Sequence, residues 1–165
     1  MSTILAIDPG TTKSGWVLYS GGRVFECGID DNHELLDKLP FLCPHSETVC
    51  AIEMIASYGA TVGRETFETC LWIGRFAQAW IASTGGRCIK VYRQDVKRCV
   101  CKTHIAKDSD VRSALIAQLG DVGTKKAPGP LYGVKSHAWA ALAVAVTADD
   151  MLKRPELWQR VEEVA

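Results

Sequence analysis

The sequence lacks a net charge: 19 Lys and Arg stand against 19 Asp and Glu in 165 residues. That balance excludes the strongly basic, tail-like kind of nucleic-acid binder. It lacks any apolar run of the roughly 20 residues needed to cross a bilayer, so no membrane association is expected. No secretory leader is expected either, since Met1-Ser2-Thr3 runs straight into a strand-like segment. With seven Cys at irregular spacings, this favours a reducing cytoplasm over a disulfide framework. Cys99, Cys101 and His104 crowd together but have no second ligand pair at finger spacing, which makes zinc a weak reading. Repeats and linker-like stretches are missing too. Residues 1–165, 47% hydrophobic, are therefore read as one globular domain with its own core.

What is present is a gradient of charge. Residues 1–85 carry five Lys/Arg against ten Asp/Glu, whereas residues 86–135 carry eleven against four. A basic middle of this kind suits either a phosphate-facing surface or the solvated faces of helices.

Hydrophobic patterning gives the elements. Thr3-Ile4-Leu5-Ala6-Ile7 reads as a strand ended by Asp8-Pro9-Gly10, and residues 15–19 and 23–27 read as two more strands joined by Ser20-Gly21-Gly22. A short helix is predicted over 32–39. An apolar strand follows at 48–52 and runs into Glu53, and residues 88–92 form a fifth strand. Between them, residues 66–83 carry an apolar stripe at helical spacing, wide enough for Trp72 and Trp80 to extend it into a dimer contact. Helices are predicted at 94–101, at 108–119 with Asp108 or Ser109 as cap, and at 136–146 with Ser136 as cap. Gly120 to Lys135 is too rich in Gly, Pro and Lys for regular structure, and a polar amphipathic tail ends the chain. Strands first, then strands alternating with helices, indicate an α/β domain with a mixed five-stranded sheet flanked by helices.

Two acids stand where apolar strands stop, Asp8 and Glu53. A buried strand is a rigid mount, and an acid at its tip serves either as a turn former or as a ligand for a hard divalent cation such as Mg²⁺ or Mn²⁺. If the two strands are neighbours, about 4.8 Å apart, the carboxylates can share an ion.

The segment from Ile4 through Asp8-Pro9-Gly10-Thr11-Thr12-Lys13-Ser14-Gly15-Trp16 resembles the first strand, acid and turn of the RNase H-like superfamily, in particular RuvC-type Holliday junction resolvases. Cys50-Ala51-Ile52-Glu53 is similar to the second catalytic strand, Ala106-Lys107-Asp108 to the mouth of a following helix, and the helix opening Ser136-His137-Ala138-Trp139-Ala140 to the last catalytic helix. Pro128-Gly129-Pro130-Leu131-Tyr132-Gly133-Val134 before a Trp-containing helix resembles the small phage and prophage members. The resemblance implies an RNase H-like fold and metal-dependent hydrolysis of phosphodiesters in branched DNA, leaving a 5′ phosphate and a 3′ hydroxyl. It further implies two Mg²⁺ or Mn²⁺ ions per site, with Asp8 bridging both and Glu53 binding one. Lys107 would stabilise charge on the scissile phosphate, and the expected setting is the cytoplasm of a bacterial or phage-infected cell.

The last helix departs from that pattern. Two metal-site residues are expected there three apart, so that they share a face. The pair here is His137 and Ala140. His137 is an acceptable ligand, but Ala140 stands where an Asp is expected and cannot bind metal. Three explanations stay open: a deliberate inactivation, a lineage using a different third acid, or a degenerate site that only binds DNA. Asp149 and Asp150 lie too far along the same helix to substitute.

For holding DNA, basic residues concentrate at Arg93, Lys97, Arg98, Lys102, Lys107, Arg112, Lys125, Lys126 and Lys135. The loop around Lys125 and Lys126 is a candidate phosphate clamp. The apolar loop after Glu53, from Met54 to Arg64, holds Tyr58, which the resemblance makes a candidate to stack on unpaired bases at a junction centre, and ends on Arg64, a further DNA-binding candidate. The partner expected is thus branched DNA, a four-way junction or else a flap or fork. A homodimer is expected because two symmetric nicks need two sites. A non-catalytic branched-DNA binding protein is the alternative that Ala140 supports. An actin-like or sugar-kinase ATPase fragment shares the Asp8-x-Gly10-Thr11-Thr12 opening, but it needs a second domain and another glycine-rich loop.

Overall fold

The computed structural model describes residues 2–42, 47–158 and 161–164. Three antiparallel strands open it: β1 (Thr3–Asp8), β2 (Lys13–Ser20) and β3 (Arg23–Asp31), followed by α1 (Asn32–Lys38) and a 3₁₀ turn at Leu39–Leu42. Then come β4 (Val49–Met54), α2 (Arg64–Thr84), β5 (Cys88–Tyr92), α3 (Arg93–Cys101), α4 (Asp108–Leu119) and α5 (His137–Lys153). A 3₁₀ turn at Pro155–Leu157 leads to a two-residue strand, β6 (Glu162–Glu163). The sheet order is β3-β2-β1-β4-β5-β6, with β4 parallel to both β1 and β5. The expected five strands are therefore six: the tail returns to pair Glu162 and Glu163 with the edge of β5, where Arg87 and Lys90 meet the two acids.

Strand alternation divides the core in two. Ile4, Ala6, Val49, Ala51, Ile89 and Val91 face α3, α4 and α5, while Leu5, Ile7, Cys50, Ile52 and Cys88 face α1 and α2. Both faces of β1, β4 and β5 are covered, which is why these strands are apolar almost throughout. α5 is buried nearly all round, from Ala138 to Met151, so its alanines let it lie close against the sheet. It runs past the expected end at Val146. No helix among the described residues is long and apolar enough to cross a membrane.

Trp80 corrects one expectation. It is fully buried in the α2-side core and its indole N–H donates to the Arg87 carbonyl, 3.1 Å, so it is unavailable to a partner. Trp72 packs edge-on against His33 beneath Arg75. The apolar residues that α2 leaves in solvent are Phe67 and Leu71. The caps differ as well. α4 begins at Asp108 with Lys107 at the cap position, and the Lys107 backbone N–H donates to Asp110 Oδ2, 2.7 Å. Ser136 precedes α5 at φ +44° and makes no side-chain cap bond.

Candidate active site

Ile7 of β1 pairs with Ile52 of β4 in parallel register, so the next residues, Asp8 and Glu53, come out side by side at the same end of the sheet. By alternation both project to the α5 face. The turn after Asp8 is fixed by a buried polar knot. The Ser14 hydroxyl donates to Asn32 Oδ1 (2.6 Å), Asn32 Nδ2 donates to the Gly10 carbonyl (2.9 Å), and the Gly10 N–H donates to Ser14 Oγ (3.2 Å).

The third member arrives from α5. Gly15 lies opposite Asp8 on β2, and a Cβ there would stand 2.5 Å from the His137 backbone. Glycine at this position lets the first turn of α5 rest on the sheet and brings His137 Nδ1 to 3.1 Å from Asp8 Oδ2. Asp8 and Glu53 are 17% and 13% exposed, whereas His137 is 58% exposed, at the mouth of a cleft of about 540 Å³.

Burial holds both acids above the ordinary carboxylate range, which favours one proton between them. Burial, with the nearby Asp8 charge, pushes Glu53 up to about 8 against the opposing pull of Arg93. Burial also raises Asp8, although the hydrogen bond it receives from Glu53 and the charge of Arg93 hold it back. Two adjacent, largely buried carboxyl groups that burial holds above their ordinary range are suited to receive a cation.

Arg93, one of the basic residues expected on a DNA-facing surface, is the first residue of α3 and joins the acids instead. Its Nη1 is 3.3 Å from Glu53 Oε1 and its Nη2 donates to Asp108 Oδ1. The signal that marks it is positional: it directly follows β5, the parallel neighbour of the strand β4 that carries Glu53 near its end. His137, Asp8, Glu53, Arg93 and Asp108 are thus joined in series across the cleft. Among the described residues no three His, Cys, Asp or Glu side chains are already grouped around a common point for a metal. Ala140 lines the cleft and contributes a methyl group.

The remaining candidates divide. Arg112 lines the cleft, its guanidinium 4.8 Å from the Trp139 ring centre. Tyr58, at φ +44°, borders a smaller pocket of about 260 Å³ that shares Asp8, Glu53 and Arg93 with the cleft. Lys107 is exposed beside Asp108, and Lys135 is exposed just before Ser136. Lys125 and Lys126 sit in an exposed turn closed by the Thr124 N–H to Ala127 carbonyl bond. Arg64 is turned to solvent and paired with Glu68. Lys102 lies in a different cleft of about 870 Å³, with Nζ on the Cys99 carbonyl. Asp150 lines that second cleft too, paired with Arg154, and Asp149 pairs with Lys153. Neither reaches the acid pair.

A mixed sheet with helices on both faces and an acid at the tip of each of two adjacent parallel strands defines an α/β domain of the RNase H-like fold. Solved structures agree on the fold. Thermus thermophilus RuvC matches with a TM-score of 0.70 at 18% identity, over 98% of this chain and 99% of that one. T. thermophilus RuvC in complex with a Holliday junction substrate matches with a TM-score of 0.75 at 17% identity, over the same shares. No family model matches the sequence, and no curated protein does.

Proposed function

We propose that this chain is a structure-selective endonuclease that hydrolyses phosphodiester bonds in branched DNA, four-way junctions foremost, with Mg²⁺ or Mn²⁺. The observation that carries the reading is the Asp8–Glu53 pair at the tips of neighbouring strands, with His137 Nδ1 3.1 Å from Asp8. It stands on a fold shared over nearly the whole chain with a protein solved on a Holliday junction substrate.

Asp8, Glu53 and His137 would hold the cation. Their chemistry fits, since two carboxylates and an imidazole are borderline-hard donors and the shared proton leaves when a cation takes its place. When bound, the ion lowers the pKa of a water and polarises the phosphoryl group. The chain itself supplies orientation. The Ser14–Asn32–Gly10 knot fixes Asp8, Arg93 fixes Glu53, and Arg112, stacked on Trp139, offers positive charge to the DNA backbone along the cleft wall. Water adds to phosphorus, the P–O3′ bond breaks, and the proton is taken up by the departing oxygen, which gives a 5′ phosphate and a 3′ hydroxyl.

A homodimer supplies two sites for the two strands of a junction, and the exposed Phe67 and Leu71 give α2 an apolar face for it. Labelled junction, flap and linear duplex, incubated with Mg²⁺ or Mn²⁺, test the proposal beside the D8N and A140D variants. Cleavage of junction by the wild type or A140D, and not by D8N, is expected. Ala140 favours a second reading, a branched-DNA binding protein without catalysis; it is selected if neither form cuts but both prefer junction. No preference for junction over duplex and no cleavage sinks both.

A further inference from the structure

Two divalent ions held together need ligand charge to match. The cleft offers three carboxylates, Asp8, Glu53 and Asp108, and position 140, where another would point in, is an alanine. One of the three is set apart, because Arg93 lies between Glu53 and Asp108. With Arg93 and Arg112, which both line the cleft, counted, two divalent ions make six positive charges against three negative ones. One ion makes four against three. In a partly buried cleft the larger excess is the harder to hold without further ligands.

The contacts give the same answer. His137 bonds Asp8, whereas the guanidinium bonds Glu53 and Asp108. Arg93 is 27% exposed and borders both the cleft and the smaller pocket beside it. Of its five N–H groups two are engaged by Glu53 and Asp108, which leaves donors of the planar kind that phosphate oxygens accept.

We infer that the site takes one divalent cation, at Asp8, Glu53 and His137, and that Arg93 stands in the place of a second, with its free N–H groups directed to a phosphate of the substrate. The phosphate contact rests on the nuclease reading; the ion count does not. Mn²⁺ titrated into EDTA-stripped full-length protein, with free Mn²⁺ read by electron paramagnetic resonance, gives the count. D8N serves as the blank for unrelated surface sites, and circular dichroism confirms that each variant is folded. The wild type is expected to bind one Mn²⁺ that D8N loses, and the R93Q/A140D double variant two. Any other count in the wild type, or a single ion in the double variant, overturns the inference. Junction affinity measured in EDTA separates the two readings. R93Q is expected to weaken it about tenfold and to lower the salt slope by about one. An unchanged affinity removes the phosphate contact. A wild type that ignores junctions yet binds one Mn²⁺ defeats the nuclease reading and leaves the ion count standing.

Discussion

Glu53→Gln should stabilise the metal-free protein, by an amount that grows with pH. Glu53 has its ordinary value of 4.5 raised to about 8, first by burial and then by the charge of Asp8. The folded protein therefore keeps a proton that the unfolded chain releases above about pH 4.5. The associated stability is fully present below that pH and is lost as pH rises through about 8. Glutamine imitates the protonated form, so the two proteins should melt alike near pH 5 and diverge above it. At about 1.36 kcal/mol per pH unit, the gap between 4.5 and about 8 sets a ceiling of roughly 4–5 kcal/mol in favour of E53Q near pH 9. For a chain of this length that is on the order of 10 °C in Tm. Thermal unfolding followed by circular dichroism in EDTA at pH 5, 7 and 9 reads it directly. A difference constant across that range refutes the shared proton. A difference of opposite sign, with E53Q increasingly the weaker protein, shows that attraction to Arg93 outweighs burial.

Other outcomes follow from the same contacts. Gly15→Ala would set a Cβ 2.5 Å from the His137 backbone; overpacking of this kind costs about 1–3 kcal/mol, so Tm should fall and Mn²⁺ affinity with it, as His137 is pushed from Asp8. Arg112→Ala should weaken binding to junction and duplex alike and reduce the salt slope by about one, read by anisotropy at several salt concentrations. Tyr58→Ala should cost junction affinity about tenfold, on the order of 1–3 kcal/mol for one stacked base, while duplex affinity holds; equal loss on both removes the stacking role. Phe67→Asp with Leu71→Asp should turn a dimer into a monomer in light scattering, with no change in the Mn²⁺ count.

The acids at the strand tips were legible because a strand buried on both faces can hardly end in a carboxylate without a purpose, and the parallel register brings Asp8 and Glu53 together as that reading requires. Arg93 was not legible. It belongs to a run of basic residues of which Arg112 lines the same cleft and others go elsewhere: Lys102 turns into the cleft beside Arg154, and Lys125 and Lys126 stay in a solvent-exposed turn. Only the adjacency of β5 to β4, a long-range pairing, distinguishes Arg93 from them. The contact of His137 with Asp8 likewise depends on the missing side chain at Gly15, across a turn from one residue and far along the chain from the other. Trp80 was misread because an apolar stripe records how much of a helix is covered, and not by what. β6 had no pattern to read, being two glutamates drawn to Arg87 and Lys90 at the sheet edge.

Ala140 and Arg93 act in the same direction on the charge of the cleft. Four carboxylates around an empty site repel one another, and a fold built on them leans on its metal. Here one acid position is a methyl, and a guanidinium sits among the remaining acids, bonded to two of them. The series His137–Asp8–Glu53–Arg93–Asp108 is therefore less negative than four bare carboxylates would be, with Glu53 pushed up to about 8. Zero net charge over the whole chain extends the same economy: the basic surplus of residues 86–135 reaches the acids of the first half through Arg93.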